Sequence, residues 1–167
     1  MAYKNKAYVA FDADNDIRYY RLMQAWKQSD FTTFNFYDAH ELNNLRNWSS
    51  EQTIKFKLKE RLQNSKIFLL LVGEQTRFHH KFVRWEIEQA LELNLPIICI
   101  NLNGQRSMDS FRCPPILKSK LALHVSFNAK IIEKALENWE YWHYQYQNTG
   151  KSGDFYYDTN YYNSLGL

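Results

Sequence analysis

Apolar positions along the chain follow two alternating patterns. Short β-prone runs at residues 6–11 (KAYVAF), 31–37 (FTTFNFY), 66–72 (KIFLLLV), 96–102 (PIICINL) and 121–125 (LALHV) predict five strands. Between them, apolar residues recur at helical spacing. Tyr19, Leu22, Met23 and Trp26 predict an amphipathic helix over 16–28. Ile54, Leu58 and Leu62 predict a second, starting at Ser49 with Gln52 completing a capping box. From Asn128 a long helix carries Ile131, Ile132, Ala135, Leu136, Trp139 and Trp142 on one side. The run at 66–72 after Lys66 is continuously apolar and that at 96–102 is another β-branched run interrupted only by Asn101, as expected of strands covered on both faces. The weaker 121–125 run is placed at an edge.

The helix predicted over 78–95 (FHHKFVRWEIEQALELNL) is the most informative segment. Val83, Ile87, Ala90, Leu91 and Asn94 share one face, while Phe82, Trp85, Glu86 and Gln89 share the adjacent one. A single Glu on a helix is ordinarily a solvated charge. Two flanking aromatics make a ligand wall the competing reading.

A chain of 167 residues suits one domain with a real core. We read 1–147 as that domain and 148–167, with Gly150, Gly153 and paired tyrosines, as either a disordered tail or an arm docking aromatics on a neighbour. The net charge is only +3, and 21 basic and 18 acidic residues are interspersed, which argues against a nucleic-acid surface. Aromatics reach 17%, enough for a thick core or for stacking on rings. Two cysteines, Cys99 and Cys113, are too few for a disulfide framework. Neither a membrane-length apolar run nor a signal-peptide plan is present, so a reducing, cytoplasmic setting without membrane contact is expected.

Five strands separated by helices imply an α/β fold with one doubly wound parallel sheet, order 2-1-3-4-5. Ligands of such sheets bind beyond the strands' carboxyl ends at the switch point. That rule indicates residues 12–16, 37–38, 73–77 and the first half of the Glu86 helix. The dinucleotide and phosphate-loop signatures are absent, as is a nucleophile elbow. His79 and His80 are adjacent, so on a helix they diverge by about 100° and make a poor metal pair; no metal site is expected. A response-regulator receiver would need an acceptor Asp after strand three, where Gly73-Glu74-Gln75 stands instead.

The succession AYVAFDADND, FNFYDAHELNNLRNW and KIFLLLVGEQTRFHHKFVRWEIEQALELNLPIICINL resembles the TIR-like proteins of bacterial Thoeris anti-phage systems, a subfamily with a flavodoxin-like fold. The resemblance covers roughly residues 6–127 and is most specific over 71–87. In enzymatic TIR domains a Trp commonly stands four residues before the catalytic Glu. Here Phe82 takes that place before Glu86.

The resemblance implies cleavage of the nicotinamide glycosidic bond of NAD, a substrate rather than a cofactor, with Glu86 as catalytic residue. An ADP-ribose-derived, cyclic nucleotide would then activate a separate effector protein. A phage-derived trigger and a homo-oligomer are further implied partners. By the same matching Phe11, Asp12, Asp38, Trp48, Phe82, Arg84 and Trp85 would bind substrate: Phe11 or Trp48 by stacking, Asp12 or Asp38 at ribose or adenine, and Arg84 at a phosphate. Two other classes stay open, a non-enzymatic TIR interaction module and a nucleoside deoxyribosyltransferase-like enzyme.

Overall fold

A computed structural model describes residues 6–29, the backbone of 37–38, and 50–167. Trp48, the proposed cap Ser49 and most of the second predicted strand lie outside these residues, as does the side chain of Asp38. The described elements are β1 (Lys6–Ala10), α1 (Ala13–Gln28), β2 (Tyr37–Asp38), α2 (Glu51–Gln63), β3 (Ile67–Val72), α3 (Val83–Glu92), β4 (Ile97–Asn101), β5 (Ala122–Ser126), α4 (Ala129–Asn148), β6 (Asp154–Tyr156) and α5 (Thr159–Ser164).

Among the described residues all strand pairings are parallel, and the sheet runs β2-β1-β3-β4-β5-β6, with β6 added to the five strands expected. Strand alternation sorts the core into two layers. Ala7, Val9, Ile67, Leu69, Leu71, Ile98 and Ile100 face one side with Tyr20 and Met23 of α1, and with Ile132, Leu136 and Trp139 of α4. Tyr8, Ala10, Phe68, Leu70, Val72, Ile97 and Cys99 face the other, against Ile54, Leu58 and Leu62 of α2 and Val83, Ile87 and Ala90 of α3. Every residue of β3 and of β4 is buried, which is why both read as nearly unbroken apolar runs.

The C-terminal segment, expected as a disordered tail or an aromatic arm, packs on its own domain. It supplies β6, and Phe155 stacks on Tyr146 of α4 with ring centroids 4.4 Å apart. The Tyr162 side chain is fully buried, and its hydroxyl oxygen accepts from the Ser126 N–H at 3.2 Å. β5 is therefore interior, with all five residues buried.

Several boundaries shift for local reasons. The cap of α2 is Ser50, whose Oγ accepts from the Thr53 N–H. In α1 the buried line is Asp16, Tyr20 and Met23, while Leu22 is 45% exposed. In α4, His143 turns inward and Trp142 outward. The helix expected from Phe78 starts only at Val83, after a 3-10 turn over Thr76–Phe78. No described helix is long and apolar enough to cross a membrane.

Candidate functional site

The carboxyl ends of β1 and β3 lie side by side, and the loops leaving them carry most of the described polar groups of interest. Asp12 follows β1 and caps α1: its Oδ1 accepts from the Asp14 N–H at 3.1 Å and its Oδ2 from the Asn15 side-chain amide at 2.6 Å. Such a cap satisfies amides the helix cannot pair itself. His79 Nε2 lies 3.7 Å from Asp12 Oδ1, which ties the β1 loop to the β3 loop.

One turn into α1, Asp16 is buried against Gly73. A Cβ built on Gly73 would stand 2.2 Å from Asp16 Oδ2, so the glycine is required for room rather than for backbone freedom. Thr76 Oγ1 accepts from the Gly73 N–H at 2.8 Å and donates to the Leu71 carbonyl at 3.3 Å, closing the turn after β3. Burial, and then the nearby Asp12 carboxylate, push the Asp16 carboxyl above its ordinary value, with Arg18, Arg112 and Thr76 acting in the other direction. Between the ordinary value of 3.8 and the raised one, the folded protein holds a proton that the unfolded chain has released. Stability from this group is thus lost as pH rises through that window. Asp16→Asn, which mimics the protonated form, is expected to gain stability relative to wild type between pH values below and above the window in urea denaturation. A pH-independent offset would contradict the assignment.

Glu86 occupies the first turn of α3 and is fully buried. Its Oε2 accepts from the Tyr8 hydroxyl at 2.6 Å. Tyr8 in turn stacks on Phe68, with ring centroids 5.7 Å apart. Phe82, at the N-cap of α3, and Trp85 are partly buried against this same layer. The Lys55 ammonium lies 5.5 Å from the Trp85 ring centroid and that of Lys81 lies 5.4 Å from Phe82.

The other expected site residues are placed differently. Phe11 is buried on the opposite side of the sheet from Tyr8 and stacks on Tyr20 at 4.7 Å, so the alternation of β1 directs its ring into the α1 layer. Arg84 is exposed and pairs with Glu88 at 3.1 Å, one helical turn on. Asp12 is buried after β1 and held as the cap of α1. Sequence reasoning passed over Tyr8, although a tyrosine in an otherwise aliphatic strand signals a hydroxyl that must find a partner.

Among the described residues, Asp12, Asp14 and His79 form one group able to hold a metal ion, with ligand atoms within 4.8 Å of one another. Acids gather at a helix start without any ion, drawn by its positive end. Beside α3, a cavity of about 510 Å³ is lined by residues 76–80, Val83, Arg84, Ile87 and Pro114–Ile116.

No curated protein matches the chain. Residues 8–107 match the family described as Thoeris protein ThsB, TIR-like domain. That span reaches from β1 through α3 and β4 and includes both Tyr8 and Glu86. The parallel sheet with helices on both faces is the fold this family implies, and the chain belongs to the ThsB TIR-like family of Thoeris anti-phage defence.

Proposed function

We propose that this defence protein cleaves the N-glycosidic bond of NAD, releasing nicotinamide and forming an ADP-ribose-derived cyclic nucleotide that activates a separate effector. The observation that carries the reading is the Glu86 carboxylate, withdrawn from solvent in the first turn of the helix that follows β3. Ionisable groups are seldom fully buried without a purpose, because removing a carboxylate from water is costly.

The chemistry needs little more than one such group. The nicotinamide of NAD is already cationic and departs with the electron pair of the broken bond, so no general acid is required. The barrier lies in the oxocarbenium-like ribosyl centre left behind, and a fixed carboxylate stabilises that charge as it develops. Water, or a hydroxyl of the same ADP-ribose, then attacks the anomeric carbon and loses a proton. Glycosidases with poorer leaving groups need a second carboxylate for the step that NAD makes unnecessary. Asp12, Phe82 and Trp85 are the proposed substrate contacts. Since Glu86 is fully buried here, ribose reaches it only after its surroundings open, which fits an enzyme kept inactive until triggered.

An interaction module is the second reading, favoured by the exposed aromatics Tyr141, Trp142 and Tyr144 on α4. Mass spectrometry of small molecules from phage-infected cells separates the two. Under the enzyme reading, nicotinamide and a new ADP-ribose derivative accumulate with wild type and not with Glu86→Gln. Unchanged metabolites together with intact protection by Glu86→Gln would sink it.

A further inference from the structure

The cavity beside α3 has a composition of its own. Its ionisable lining is entirely basic or imidazole, comprising Arg77, His79, His80 and Arg84, and no carboxylate contributes to it among the described residues. The N-terminus of α3 opens onto it through Val83 and Arg84, and that helix has no side-chain hydrogen bond at its cap. The Arg84 N–H is taken by the His79 carbonyl at 3.1 Å, so it is the positive end of the helix together with the nearby cations that favours a bound anion. The opposite wall, Pro114–Ile116 with Val83 and Ile87, is apolar. A volume of about 510 Å³ falls in the range of small-ligand sites.

Arg77 is already positioned. It donates to the Phe111 carbonyl, and its guanidinium lies 5.2 Å from the Phe78 ring centroid and 5.7 Å from that of Phe111. A guanidinium has five N–H donors, so one bond to a carbonyl leaves others for a ligand. Phe78 is 56% exposed and offers a ring face at the rim. This flank adjoins the Glu86 side, since His79 of the lining lies 3.7 Å from Asp12, but Glu86 is not part of its lining. On a 3.6-residue helix, Val83, Ile87 and Arg84 span an arc of about 100°, and Glu86 falls outside it.

We propose that this cavity is a second ligand site, for a phosphate ester bearing a flat or apolar group, the size of a mononucleotide. The phosphate sits between Arg77 and His80 near the positive end of α3, and the organic part lies against Phe78 and the proline wall. The site stands on its own lining and does not rest on NAD cleavage.

Isothermal titration of the full chain with AMP tests it, with inorganic phosphate as a competitor. Saturable one-to-one binding is expected, weakened about tenfold or more, equivalent to about 1.4 kcal/mol, by Arg77→Gln and by His80→Glu. His80 is exposed, so its replacement disturbs no packing. Phe78→Ser should weaken AMP and leave phosphate competition unchanged, while Glu86→Gln should bind AMP as wild type does. The proposal is overturned by absence of saturable binding at millimolar AMP, by binding indifferent to Arg77→Gln and His80→Glu, by loss of binding in Glu86→Gln, or by phosphate binding as tightly as AMP. Nicotinamide release is measured in parallel, so failure of the catalytic reading and failure of this site are distinguished.

Discussion

Once triggered with extract of phage-infected cells, under which wild type releases nicotinamide, Glu86→Gln is expected to release it from NAD about 10²–10³-fold more slowly, the usual loss when one group aimed at developing charge is removed. Its melting temperature should change little. Glutamine retains a carbonyl oxygen able to accept from the Tyr8 hydroxyl, which lies 2.6 Å from the carboxylate it replaces. Tyr8→Phe gives the reciprocal pattern. It leaves the acid in place but removes one donor, which costs stability of about 1–3 kcal/mol for a buried acceptor and lowers the rate by less than Glu86→Gln does. Equal rates in wild type and Glu86→Gln would remove the catalytic role, whereas unfolding of Glu86→Gln would show the carboxylate to be structural.

The second large effect is expected at Gly73. A methyl there would overlap Asp16, with Oδ2 at 2.2 Å and Cγ at 2.7 Å. The carboxyl must swing away within a packed layer, and overpacking of this kind costs about 1–3 kcal/mol. For a chain of this size each kcal/mol lowers the melting temperature by about 2–4 °C. The physical claim lies in the coupling. In an Asp16→Ala background the obstructing carboxyl is gone, so Gly73→Ala should cost markedly less, with an interaction energy of about 0.5–3 kcal/mol in a double-mutant cycle. Additive costs would mean that the β3 turn itself, rather than Asp16, resists the side chain.

Much of the fold was legible because the sheet is covered on both faces. Residues 67–72 and 97–101 have no polar side to alternate with, so only length and β-branching mark them as strands. Helix phases were less legible. In α1 the stripe read from Tyr19, Leu22, Met23 and Trp26 meets the core at Met23, with Tyr19 and Trp26 packed at its edge, but it takes in the exposed Leu22 and misses Tyr20 and Asp16, an acid that a hydrophobic pattern skips. The start of α3 was misplaced because Phe82 caps it without a side-chain bond, leaving no Ser, Thr, Asp or Asn to announce the boundary. Three residues of β6 are too few to show alternation, and β5 looked like an edge for want of that partner.

The site divides similarly. Glu86 stood out through its aromatic neighbours and its place after β3. Its contact with Tyr8 spans 78 residues of sequence, a separation that only the assembled sheet reveals. Phe11 was assigned to the pocket by the family resemblance; just past β1 it keeps the strand's alternation and shares a face with Val9 rather than with Tyr8.

β6 also governs how this molecule can meet copies of itself. By pairing with β5 over Ala122 to His124, it turns what would be a long apolar border into one only three residues wide, bearing the exposed Asp154 and Tyr156. Short, charged borders are poor templates for strand addition. A chain truncated after Gln147 would present the unpaired backbone of β5 instead, and cross-chain pairing leading to aggregation is the physical consequence.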